Sequence, residues 1–101
     1  MTKDVEARLQ ASYVQVEVER IQPLLDMGNL AAFARVRFKT DAGSIVVDGF
    51  RLVRGGKGGM FVAPPSHKKG DRWYDDVEVT EDLGKYLEGA VKKAYKDATA
   101  K

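Results

Sequence analysis

The side chains best suited to chemistry lie close together in the second half of the chain, as Ser66, His67, Lys68, Lys69, Asp75 and Asp76. His67 is the only histidine, and cysteine is absent. A zinc site would therefore rest almost wholly on carboxylates, against the metal's preference for nitrogen and sulfur, so no metal is expected. Asp75 and Asp76 are adjacent, and adjacent residues on a strand point to opposite faces, so they read as turn residues rather than as an acid/base pair. Ser66 has lysine and histidine beside it but lacks the glycine elbow and second base that activate a nucleophile. No catalytic residue and no cofactor is expected, and the chain reads as a binding protein rather than an enzyme.

Gly55-Gly56-Lys57-Gly58-Gly59 has the composition of a phosphate loop. A P-loop, however, follows its lysine with Ser or Thr and then a helix whose N-terminus faces the phosphate. Here Lys57 is followed by Gly58 and an apolar, strand-like run, so an ordinary glycine hairpin is expected. Charge is more informative in its distribution than in its total. The net charge is only +2, yet residues 51–72 hold Arg51, Arg54, Lys57, Lys68, Lys69 and Arg72 against Asp71 alone, an excess of +5. Such a concentration makes a local positive potential suited to a polyanion, although a solvated loop has the same composition.

The elements that must position these residues follow from the periodicity. From Tyr13, Val14, Val16 and Val18 alternate with Gln15, Glu17 and Glu19, which predicts a half-buried strand running to about Leu25. Asp26-Met27-Gly28-Asn29 supplies turn chemistry. A second strand is predicted over 30–40, with Ala32, Ala34, Val36 and Phe38 on one face and Arg35, Arg37 and Lys39 on the other. After the turn Thr40-Asp41-Ala42-Gly43, a third strand runs from Ser44 to Val53. Its apolar residues fall on both faces, which predicts a central strand covered on both sides. Met60-Phe61-Val62-Ala63 is a short fourth strand stopped by Pro64-Pro65, and 66–76 reads as a polar, basic loop. The last element is a helix with Thr80 as N-cap and with Leu83, Leu87, Ala90, Val91 and Ala94 in a stripe. Gly84 and Gly89 weaken that helix, which points to close packing against another backbone.

Four strands followed by a helix give an α+β fold, a small antiparallel sheet with one face covered. A chain of 101 residues makes one domain. That domain is set at residues 13–101, and residues 1–12 are an extension that is either mobile or a short helix with Val5 and Leu9 on one side. So small a sheet leaves edges exposed, and edge pairing between two copies predicts a homodimer that joins through the sheet. No apolar run approaches the roughly 18 residues of a membrane span, and the start lacks a secretory pattern, so a cytoplasmic protein is expected.

Residues 47–66 form the most distinctive stretch. Phe50-Arg51-Leu52-Val53-Arg54 leads into the glycine turn, then Met60-Phe61-Val62-Ala63, Pro65-Ser66, a basic loop and the closing pair Asp76-Val77. This pattern resembles the signature of the SpoVG family (stage V sporulation protein G, or septation protein), and the likeness extends over about residues 13–97. The chain departs from it at Pro64, where methionine is usual, and in Glu78-Val79-Thr80, where a His-Pro is expected.

The resemblance implies a small sheet with a C-terminal helix, a homodimer, and a regulator that binds DNA and RNA in septation and sporulation control. Lys68, Lys69 and Arg72 match the family's basic loop and Arg51 its strand arginine, although Arg51 equally suits a structural partnership with Asp48 or Asp76. His67, Arg54 and Lys57 border the same stretch, and Lys92 and Lys96 either bring the helix into the candidate surface or belong to a solvated helix face. Basic side chains of this kind hold phosphates and release counterions without reading sequence. Trp73 and Tyr74 either stack on unpaired bases or anchor the loop to the core. A different class of function, a protein–protein adaptor that docks on division or envelope machinery, is the alternative.

Overall fold

The computed structural model describes residues 14–100. The expected extension at 1–12 and the strand start at Tyr13 lie outside the described residues. Four strands pair in chain order as an antiparallel meander: β1 (Gln15–Pro23), β2 (Leu30–Thr40), β3 (Gly43–Arg54) and β4 (Met60–Ala63). A separate two-stranded ribbon, β5 (Ser66–Lys69) with β6 (Arg72–Asp75), precedes the helix α1 (Glu81–Thr99). This is the α+β architecture that the alternation and the terminal stripe predict.

The helix lies over one face of the sheet. The alternate residues Ala32, Ala34, Val36 and Phe38 of β2 and Phe50 and Leu52 of β3 are buried there, against Leu87 and Val91 of α1. Phe38 and Phe50 meet edge to face with ring centroids 6.2 Å apart. Full burial of a side chain the size of Phe50, Leu52 or Val36 contributes about 1.5–3 kcal/mol, so this face supplies most of the fold's cohesion. Gly84 lets the first turn of the helix sit against the preceding segment, where an added Cβ would stand 2.9 Å from the Val79 carbonyl oxygen. The close approach expected of the helix glycines therefore holds at Gly84; Gly89 has nothing within 4 Å. Thr80 has the extended backbone of an N-cap but makes no side-chain capping bond. The next residue, Glu81, has φ 53, so the chain enters the helix by a route that leaves the hydroxyl outside capping geometry.

β3 does stand inside the sheet, between β2 and β4, but the expectation that both its faces are covered is corrected. The helix covers one face only. On the other, Val46 and Val53 share a surface with Arg37, Arg35, Phe33 and Phe61 over which no element lies among the described residues. Apolar residues on both faces of β3 thus mark a strand with a partly apolar open side.

Two bulges shape that open side. Between Val18 and Arg20 the β1–β2 register shifts, so Glu19 and Arg20 lie consecutively on the same face. Opposite, the pairing steps from Ala34–Phe50 to Arg35–Asp48, which leaves Gly49 unpaired. Gly49 has φ 96, a conformation that suits glycine.

Candidate nucleic-acid interface

The segment expected as a loop at 66–76 is a β-ribbon over most of its length. Lys69 pairs with Arg72 across a two-residue turn, and Gly70 at the first central position has φ 68. Positive φ at that position alone defines a type II′ turn, whose twist matches that of flanking strands. The remaining pairs are Ser66 with Asp75, His67 with Tyr74 and Lys68 with Trp73.

Alternation sorts the ribbon's side chains onto two faces. One carries His67, Lys69, Arg72 and Tyr74; its His67 and Tyr74 rings stack with centroids 5.8 Å apart and planes at 28°. The other carries Lys68 and Trp73. At Lys69 and Arg72 two positive charges stand directly opposite each other, an arrangement that costs stability until an anion lies between them.

Among the described residues the ribbon is anchored at its root. Arg51 of β3 donates from Nη2 to the Pro64 carbonyl oxygen at 3.0 Å and to Ser66 Oγ at 3.2 Å. The Asp76 amide donates to the Pro65 carbonyl at 2.7 Å, and the Asp76 carboxylate bonds His67 Nδ1. Arg51 is thus a strut for the root, and its partners are neither Asp48 nor Asp76. Beyond the root the two strands pack chiefly on each other. All of β6 is exposed, with Trp73 at 66% and Tyr74 at 45%. Among the described residues both rings lie outside the buried core.

The expected basic residues therefore divide. His67, Lys68, Lys69 and Arg72 come together on the ribbon with Trp73 and Tyr74. Arg54 lies on the helix side of the sheet, donating to the Gly28 carbonyl and to the Tyr95 hydroxyl, each at 3.2 Å. Lys57 sits in the glycine turn at the far end of β4, where the Gly55 amide bonds the Gly59 carbonyl at 2.7 Å. Lys92 pairs with Glu88 at 3.5 Å, and Lys96 lies in the last turn of α1. Among the described residues none of the four makes a hydrogen bond or ion pair with the ribbon.

A second charged surface covers the open side of the sheet. Glu19 accepts from Arg37 Nε and, at 3.1 Å, from Arg35 Nε. Those two guanidinium bonds, Arg37's first, hold the Glu19 carboxyl below the usual glutamate range. Lys39 meets Glu17 at 2.9 Å and Arg35 meets Asp48 at 3.7 Å. The outward set Arg35, Arg37 and Lys39 was legible in the alternation, but their partners required the register.

Among the described residues no group of three His, Asp or Glu side chains gathers as a metal site requires, and no helix is long and apolar enough to cross a membrane. No curated protein matches the chain. The SpoVG family model matches residues 12–97, nearly the full length. The chain belongs to the SpoVG family, a membership that suggests a role related to sporulation or septation.

Proposed function

We propose that this protein is a homodimeric, cytoplasmic regulator that binds DNA and RNA through the β5–β6 ribbon, and that it acts by binding rather than by catalysis. The observation that carries this reading is the ribbon itself. Three cations, Lys68, Lys69 and Arg72, and two exposed rings, Trp73 and Tyr74, project from the body on a short two-stranded arm. The cations supply sequence-tolerant phosphate affinity, and the rings offer stacking surfaces that every base can use. Such a surface favours unpaired strands, because duplex bases are already stacked on one another.

The outer strands of the sheet support the homodimer. Among the described residues β1 and β4 each leave one edge unpaired, and edge pairing between two copies satisfies it. Two arms in one dimer then place two weak contacts on one strand, and each raises the effective concentration of the other.

Trp73 is the only tryptophan, so its fluorescence reports on the arm alone. Titration with mixed-sequence single-stranded DNA at low salt should quench it, and Lys68→Ala/Lys69→Ala/Arg72→Ala should need far more DNA for the same effect. Binding by anisotropy without any change at Trp73 would remove the rings from the site. Absence of binding to single strands, duplex and RNA would reject the nucleic-acid reading in favour of the adaptor.

A further inference from the structure

The open face of the sheet holds a built depression that the arm does not need. It has a volume of about 410 Å³ and is lined by Arg20, Gln22, Phe33, Arg35, Asp48 and Gly49. The β1 bulge sets its electrostatics by bringing Arg20 onto the open face directly opposite Arg35. Like charges facing each other across a sheet cost stability. Arg35 is compensated by Glu19 and Asp48, and Glu19 is shared with Arg37. Arg20 has no hydrogen bond or ion pair among the described residues, so one positive charge is left over at the rim. Phe33 stands in the same depression with Gln22 opposite it on β1 and Arg51 opposite it on β3. It is 37% exposed, and a second ring, Phe61 of β4, is 47% exposed on the same face.

We infer that this open face is a second binding surface for single-stranded nucleic acid, with Phe33 stacking a base and Arg20 receiving a phosphate. The inference rests on the nucleic-acid reading above and assigns it a second surface. Charge complementarity selects the occupant. A protein partner would have to bury the Glu17, Glu19, Arg35, Arg37, Lys39 and Asp48 carpet, whereas a polyanion needs only the surplus at Arg20. The chemistry also selects single strands. A ring in a shallow depression reaches a splayed base and cannot reach one inside a duplex, which is why four-stranded RNA-binding sheets display exposed aromatics. Gln22 and Asp48 supply donors and acceptors at the rim for base edges. Asp48 remains compatible with an anionic ligand because Arg35 neutralises it.

The test uses the full chain, a labelled mixed-sequence single-stranded DNA, and three variants: Arg20→Gln, Phe33→Ala, and the arm triple Lys68→Ala/Lys69→Ala/Arg72→Ala. Phe33→Ala should weaken binding about tenfold, within the range for loss of one stacked base. Arg20→Gln should reduce the slope of log K against log salt by about 0.7, the value of one single-strand phosphate contact. Neither should lower the thermal midpoint by more than a few degrees, since Arg20→Gln removes a like-charge pair and Phe33 lies outside the core. Wild-type affinity and salt slope in both variants, with loss confined to the arm triple, would overturn the inference and leave the arm reading intact. A changed sedimentation mass with unchanged DNA binding would also overturn it, making the face a contact between copies. If the wild-type chain binds no single strand, the arm reading fails first and this one with it.

Discussion

Replacing Gly84 and Gly89 separately by alanine should move stability in opposite directions. Each substitution adds helix propensity worth about 1 kcal/mol. At Gly89 the new methyl meets nothing within 4 Å, so the full gain appears. At Gly84 the methyl would stand 2.9 Å from the Val79 carbonyl oxygen, and the obstructing atom is backbone. Overpacking of that kind costs about 1–3 kcal/mol, more than the propensity gain over most of its range. The two variants should therefore differ by about 1–3 kcal/mol. In a domain this size 1 kcal/mol shifts Tm by roughly 4–8 °C. Thermal unfolding followed by far-UV circular dichroism should show Gly89→Ala melting several degrees above wild type and Gly84→Ala at or below it. Equal gains in both variants would refute the seating of α1 on the 77–80 segment. A loss at Gly89 would mean that this exposed position is covered in the assembled protein.

Glu19→Gln should remove an acid-sensitive part of the stability. The Glu19 carboxyl is held below its ordinary range in the folded state, so its contribution is present above about pH 4.3, the unfolded glutamate value, and is lost as pH falls through the lower folded value. Urea unfolding at neutral and strongly acid pH should show a smaller difference in the variant than in the wild type. Gly70→Ala places a Cβ at φ 68, in the glycine position of a type II′ turn, a cost of about 1–3 kcal/mol confined to the arm. Amide exchange should quicken at 67–74 while the β2–β3 core stays protected, and equal loosening of both would contradict an arm that packs chiefly on itself. Arg54→Met removes the bonds to Gly28 and Tyr95, each worth about 1 kcal/mol. It should lower Tm without changing nucleic-acid affinity; the converse result would return Arg54 to the binding surface.

The strands that build the core were legible because their residues alternate. Val16 and Val18 on one side of β1, with Val14 just before it, and Ala32, Ala34, Val36 and Phe38 in β2, carry the period that burial of one face imposes. The β5–β6 ribbon reads as a loop in sequence because neither of its faces is buried. Ser66 to Asp75 therefore shows no hydrophobic period, and the Gly70-Asp71 dipeptide was the one local signal of a hairpin. The bulge at Glu19 was hidden for a related reason. An extra residue is defined by what pairs with it, and the clean alternation from Val14 to Glu19 gives no sign that Arg20 stays on Glu19's side. At β3, apolar residues on both faces suggested two covers, but periodicity reports which residues are apolar and not which element lies over them. Of the candidate site, the basic and aromatic residues of 67–74 were legible by type. The separation of Arg54, Lys57, Lys92 and Lys96 from them depended on hairpin geometry, which sets Lys57 at the opposite end of β4.

The most direct test of the central claim is the salt dependence of single-stranded DNA binding, measured by anisotropy for the wild type and for Lys68→Ala/Lys69→Ala/Arg72→Ala. Three phosphate contacts at about 0.7 each should give the wild type a slope of log K against log salt steeper by about 2 per arm. Between about 50 and 200 mM salt the wild type should therefore lose roughly 20-fold more affinity than the variant for each arm engaged. The same slope in both proteins would show that the arm does not carry the phosphate contacts, and would contradict the account.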